Sequence, residues 1–202
     1  MSMEQTAPQF LPETHTYKVS DRIVPSVTQI LEDVGIVDYS RLPGSTREMA
    51  LRRGSAVHAA CHYDDEGDLD ETQLAPEILP YLQAWRKFRA SVGWEWDRIE
   101  FRSYQERYDY CGQLDRAATI PGKSTQVLLD IKTGVAQYWT RYQVAAYAAF
   151  FENPRAYLRM AVELHKDETF KVHEYPGRDW AADFAVFSAA LVVYREKRRK
   201  PF

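Results

Sequence analysis

Apolar and polar residues change period along this chain, and the changes mark its elements. "THTYKVSDRIVPS" alternates in strand fashion on both sides of Ser20-Asp21, which predicts a small hairpin. Val27, Ile30, Leu31 and Val34 then share one helical face, with Ser26 as N-cap, Gln29 at the capping-box position and Gly35 as the stop. "DYSRLPGS" reads as loop. Ser45 with Glu48 predicts the start of a second helix running to about Tyr63, and "DDEGDLDETQ" reads as a solvated acidic loop. Ile78, Leu82, Trp85 and Phe88 repeat at helical spacing between Pro76 and Gly93.

The period then falls to two. "EWDRIEFRSYQ", "RYDYCGQLDRAATI" and "TQVLLDIKT" read as three strands of an antiparallel meander, the last two joined by a "PGKS" turn. "YWTRYQVAAYAAFFEN" is a helix ended before Pro154, and "RAYLRMAVELH" and "TFKVHEY" form a hairpin about "KDE". The last helix turns Trp180, Phe184, Phe187 and Leu191 inward. This order predicts an α/β fold, a mixed central sheet flanked by helices, in one domain over residues 1–202. Within it the hairpin and first helix span 14–35, the core about 45–176 and the closing helix about 178–199.

Composition changes this picture little. The 202 residues are 45% hydrophobic, enough for one sizeable core. A net charge of -3 means that any nucleic-acid role must rest on local basic patches or bound cations. Arg47, Arg52, Arg53, Arg116, Lys123, Arg141 and the basic end "REKRRK" are the residues available to line such a groove. Cys61 and Cys111 cannot build a four-thiolate site and read as buried free thiols in a reducing compartment. The start has no apolar signal core and no apolar run reaches membrane length, so a cytosolic protein without a membrane partner is expected.

The chemistry concentrates in "GQLDRAATIPGKSTQVLLDIKTG", residues 112–134. The hairpin brings Asp115 and Asp130 into one sheet neighbourhood, where two anions repel unless a cation separates them. Hard Mg²⁺ suits carboxylates and carbonyls, including that of Ile131. Lys132 lies two residues past Asp130, on the same strand face, where an ammonium can orient a metal-bound water. The bland alternatives are structural ion pairs, Asp115 with Arg116 or Arg53 and Asp130 with Lys132.

"GQLDR" followed by "LLDIKTG" resembles the core motif of the PD-(D/E)XK nuclease superfamily, with Asp115 as the motif aspartate and Asp130-Ile131-Lys132 as the acid-x-lysine. "RRGSAVH" is similar to the Gly-x-x-x-His helix motif of the RecB-like and phage-exonuclease branches, and "QVAAY" to their Gln-x-x-x-Tyr helix motif. "VPSVTQIL" resembles the opening segment of some of these nucleases. The resemblance spans about Val24 to Tyr147 and implies a restriction-endonuclease-like α-β-β-β-α-β core.

It also implies His58, Asp115, Asp130 and the Ile131 carbonyl as ligands of Mg²⁺ or Mn²⁺, with Lys132 positioning water. Glu100 is the first-strand acid, with Glu95 and Glu106 as alternatives, acting through a second metal or a water. Gln143 and Tyr147 support the lysine or the substrate, and Arg53 and Arg141 are counted with them as substrate contacts. Gly54, inside the helix, suggests close approach of another backbone. His15, His62, His165 and His173 match no motif.

The implied activity is metal-dependent DNA hydrolysis, as an exonuclease of phage or bacterial recombination or repair. A recombination or single-strand-binding protein is a further partner on that reading. The rivals are a structure-specific endonuclease and a non-catalytic DNA- or partner-binding module; oligomeric state is not legible. Two features depart from the family: four-cysteine iron–sulfur relatives have no counterpart here, and the net charge is negative.

Overall fold

The computed structural model describes residues 8–14, 16–38 and 44–199. His15, Tyr39 to Pro43 of the "DYSRLPGS" loop and the last residues of the basic end lie outside the described residues. β1 (Gln9–Leu11), β2 (Thr16–Val19) and β3 (Arg22–Val24) form a small antiparallel sheet in that order. α1 (Val27–Asp33) follows with both arms of its capping box made: Gln29 N–H donates to Ser26 Oγ at 3.1 Å, and Ser26 N–H to Gln29 Oε1 at 2.9 Å. Gly35, at φ 81°, closes it, with Gly35 N–H on Glu32 O and Ile36 N–H on Leu31 O.

α2 (Gly44–Glu66) is longer than the sequence pattern predicts. Ser45 lies inside it, and Glu48 binds Arg52 at 2.7 Å. The helix runs on because Asp64 and Asp65 are not solvated. Arg86 and Arg89 grip Asp64, and Arg89, Arg116 and the Trp85 indole grip Asp65. The acidic-loop expectation is therefore wrong for these two residues, whose charge is neutralised from α3 (Leu79–Val92) and the sheet. Gly93 ends α3 in the left-handed region.

β4 (Glu95–Gln105), β5 (Tyr110–Thr119) and β6 (Gln126–Lys132) form the expected antiparallel meander. α4 (Thr140–Ala148) then crosses back, so that β7 (Tyr157–Leu164) pairs parallel to β6. β8 (Phe170–Tyr175) returns antiparallel, and α5 (Trp180–Glu196) closes the described chain. The mixed sheet has strand order β4-β5-β6-β7-β8.

Alternate residues of β6 serve two cores. Leu128 packs with α1, α4 and α5, whereas Val127, Leu129 and Ile131 pack with α2 and α3. At one end, buried Arg159 of β7 meets Asp183 of α5 at 2.8 Å and donates to the Arg141 and Pro176 carbonyls. Both cysteines are buried and free. Among the described residues, no helix is long and apolar enough to cross a membrane.

Gly112 sits where β5 passes under α4. A Cβ there would come within 2.7 Å of the buried Tyr147 ring and 3.2 Å of Phe150. Gly112→Ala is expected to cost about 1–3 kcal/mol through overpacking, measured by chemical denaturation. An unchanged denaturation midpoint would show that the ring yields freely.

Candidate metal centre

Consecutive residues of a regular strand face opposite sides. In β5 that alternation breaks: Asp115 meets His58 and Arg116 meets Asp65, yet both partners lie on α2. On β4, Glu100 adopts φ 48°, a left-handed conformation that costs a non-glycine residue about 1–3 kcal/mol. The ladder pairs Ile99 with Arg116 and Phe101 with Leu114 on either side of it, and a bulge interrupts it again between Trp96 and Arg98. The distortion gathers His58, Glu100 and Asp115, whose ligand atoms all lie within 4.8 Å of one another. No other group of three such side chains is found among the described residues. Glu95 and Glu106 are exposed, and neither joins it.

His58 Nδ1 is 3.3 Å from Asp115 Oδ1 and 4.0 Å from Glu100 Oε1. Its Nε2 lies 3.1 Å from the Ile131 carbonyl, an acceptor, so Nε2 carries the proton there. Nδ1 is the nitrogen left for a metal. The carbonyl thus has a role the sequence does not predict: it orients the imidazole, as the outer partner of a ligating histidine does. Asp115 Oδ2 accepts the Ile131 N–H at 2.6 Å, leaving Oδ1 toward His58.

Asp130 stands outside the three-residue group. It shares strand parity with Leu128 and Lys132 and turns to the α4 side, where Lys132 Nζ is 2.7 Å from its Oδ2. The ammonium is the charge partner of this buried oxygen. Lys132 donates to Gln143 Oε1 at 2.9 Å, and Gln143 Nε2 to the Tyr147 hydroxyl at 3.0 Å. Both α4 residues are buried and act on the lysine. The Trp139 ring centroid lies 5.3 Å from Nζ and adds a cation–π contact.

The electrostatics follow from crowding acids in a buried place. Burial and the neighbouring Asp115 raise the Glu100 pKa against the pull of His58 and Arg116. Burial raises Asp130 to about 6, with Asp115 adding and Lys132 opposing. Burial would raise Asp115 too, but His58, the Ile131 amide and Lys132 outweigh it and hold it low. Burial disfavours the His58 imidazolium, yet Asp115, Glu100 and Asp130 overcome that and raise it to about 9. Three acids are thus crowded together with His58, Lys132 and Arg116 as their counter-charges. Two carboxylates and an imidazole so placed form a candidate metal-binding group.

The remaining sequence candidates sit elsewhere. Arg53 stretches to the Thr133 carbonyl at 3.5 Å and over the Tyr81 ring, beside the end of β6. Arg141 is tied to Asp183 at 2.6 Å. Of the cations expected to line a basic groove, Arg47 pairs with Glu32, Arg52 with Glu48, and Lys197 and Arg198 with Asp33, all with their side chains still partly or largely exposed. Arg116 has no exposed side chain, so it cannot touch a phosphate. Gly54 admits no unusually close backbone; a Cβ there would meet the Thr133 hydroxyl at an ordinary 3.7 Å. His62 pairs with Glu66 at 3.1 Å, away from the group.

Sequence reasoning missed Asp65, Gln113 and Trp139. Asp65 had a usable signal, since it lies seven residues after His58 on the helix stripe that also carries buried Cys61. Gln113 reaches Glu100 Oε2 from the neighbouring strand, and nothing in the sequence marks it.

Compared with models of known protein families and with curated proteins, the chain matches none.

A metal must displace the His58 proton, which the free protein holds until about pH 9. Below that pH, affinity for Mn²⁺ should therefore rise with pH, by about tenfold per pH unit between 6 and 8, and binding at neutral pH should release a proton. Calorimetry in two buffers of different ionisation enthalpy reads both. Affinity independent of pH over that range would remove His58 from the ligand set.

Proposed function

We propose that this protein is a divalent-metal-dependent deoxyribonuclease of PD-(D/E)XK type, with a restriction-endonuclease-like core and an exonuclease's role in phage or bacterial recombination or repair. One observation carries the reading. A His58–Glu100–Asp115 ligand group stands beside a buried Asp130–Lys132–Gln143–Tyr147 line, on strands joined in the order the motif resemblance implies. A surface ion pair would need no buried support of this kind.

On this reading the chain's own residues divide the work. His58, Glu100 and Asp115 would hold the ion, and Asp130, paired with Lys132, would supply a further oxygen from the α4 side. The ion, when bound, polarises a phosphoryl oxygen and lowers the pKa of water. Lys132, restrained by Asp130, Gln143 and Trp139, orients the attacking water and offers Nζ to the developing negative charge. Gln143 and Tyr147 keep the ammonium in place from behind. Arg53, which lies beside the end of β6, would meet the DNA backbone.

The test is cleavage of end-labelled linear DNA and of closed circular DNA, single- and double-stranded, with Mg²⁺ or Mn²⁺. Linear substrates should be degraded and circles spared; cutting of circles would replace the exonuclease with an endonuclease. Asp130→Ala and Lys132→Ala should each lower kcat by at least about a hundredfold, with DNA affinity little changed. Absent cleavage by the folded wild-type protein would leave only a binding module, and metal-independent cleavage would remove the metal from the reaction.

A further inference from the structure

Asp65 lies outside the motifs and Arg116 only ends "GQLDR" with no role assigned to it there, yet the two form a charged pair buried next to the metal centre. Neither side chain has exposed surface. Arg116 Nε donates to Asp65 Oδ2 at 2.6 Å, and its guanidinium lies 5.4 Å from the Trp85 ring centroid. Trp85 in turn donates to the other Asp65 oxygen at 2.9 Å. The arginine is thereby fixed from behind. In front, Nη1 reaches Glu100 Oε1 at 3.0 Å and the Asp115 carbonyl at 2.6 Å, while Nη2 is buried without a hydrogen-bond partner.

These contacts give a permanent positive charge a fixed place against Glu100 and the Asp115 backbone. In two-metal nucleases and phosphatases the ions sit about 3.5–4 Å apart and share carboxylates. Here Glu100 keeps no free oxygen for a second ion to share: Arg116, which burial and Asp65 prevent from swinging out, holds Oε1, the oxygen nearer His58, and Gln113 holds Oε2. We propose that Arg116, held by Asp65, is the resident cation of this centre: it aims Glu100 at His58 and Asp115 and restricts the site to one divalent ion. Asp65 is a positioning residue acting through Arg116. The inference rests on the metal-centre reading above and replaces its two-metal form.

The experiment is a Mn²⁺ titration of the full chain without DNA, followed by equilibrium dialysis and electron paramagnetic resonance, so that it does not depend on cleavage. Wild type should bind one Mn²⁺ with the spectrum of an isolated ion. Arg116→Lys should keep that stoichiometry, because it keeps the charge. Arg116→Met should admit a second ion, spin-coupled to the first. Asp65→Asn should weaken the single site by about tenfold or more, as loss of an outer-sphere partner does. A merely structural pair would change the melting temperature and leave stoichiometry and spectrum alone.

Two coupled ions in wild type, or one ion in folded Arg116→Met, overturns the proposal while leaving the metal centre standing. No Mn²⁺ on wild type removes the centre itself and the proposal with it. Should Arg116→Met fail to fold, the wild-type count and Asp65→Asn still decide the question.

Discussion

The Arg116 guanidinium lies wholly inside the protein, between Asp65 behind it and Glu100 in front. A buried charge is tolerable only with its counter-charge and hydrogen bonds in place. Asp65 can supply them only if α2 continues past Tyr63, and Trp85 and Arg89 complete the shell from α3. One charge on β5 therefore sets the length of one helix and the docking of another. The same continuous α2 carries His58 two turns upstream, so seating Arg116 also brings the imidazole to the sheet.

A second ionic hub, Asp183 with Arg159 and Arg141, works on the opposite side of the molecule's logic. It joins α4, β7 and α5, the elements behind Lys132, and leaves α2 and α3 untouched. The two hubs hold the two helical layers to one sheet, and the residues with chemistry lie between them. Asp115 faces one layer, whereas Asp130 and Lys132 face the other.

Much of this was legible in the chain. Period-two alternation marks β4 to β8 because each strand buries one or both faces, and the Ser26–Gln29 box and Gly35 mark α1 because caps use local chemistry. Spacing puts Gln143 and Tyr147 on one helix face, but only the motif resemblance tied them to Lys132. The run of acids at Asp64-Asp65 misleads, since what buries them is contributed by arginines 22 to 51 residues away. The left-handed Glu100 is equally hidden: nothing in "DRIEFRS" announces a twist imposed by neighbours. The negative net charge is the reverse case, because internal pairing consumes arginines that composition counts as available.

The parallel pairing of β6 with β7 has a consequence for the order of assembly. The meander from β4 to β6 joins segments close in sequence, and its pairing requires little loop closure. The β6–β7 pair must wait for the α4 crossover, and α2 must close 73 residues to set His58 on Ile131. On this topology the meander is expected to pair while Arg116 is still hydrated and Asp65 is still distant. Docking of α2 then desolvates both charges at once, so the step that completes the centre carries an electrostatic cost. A divalent ion that waits for this step would report, by its own arrival, the moment the chain becomes native.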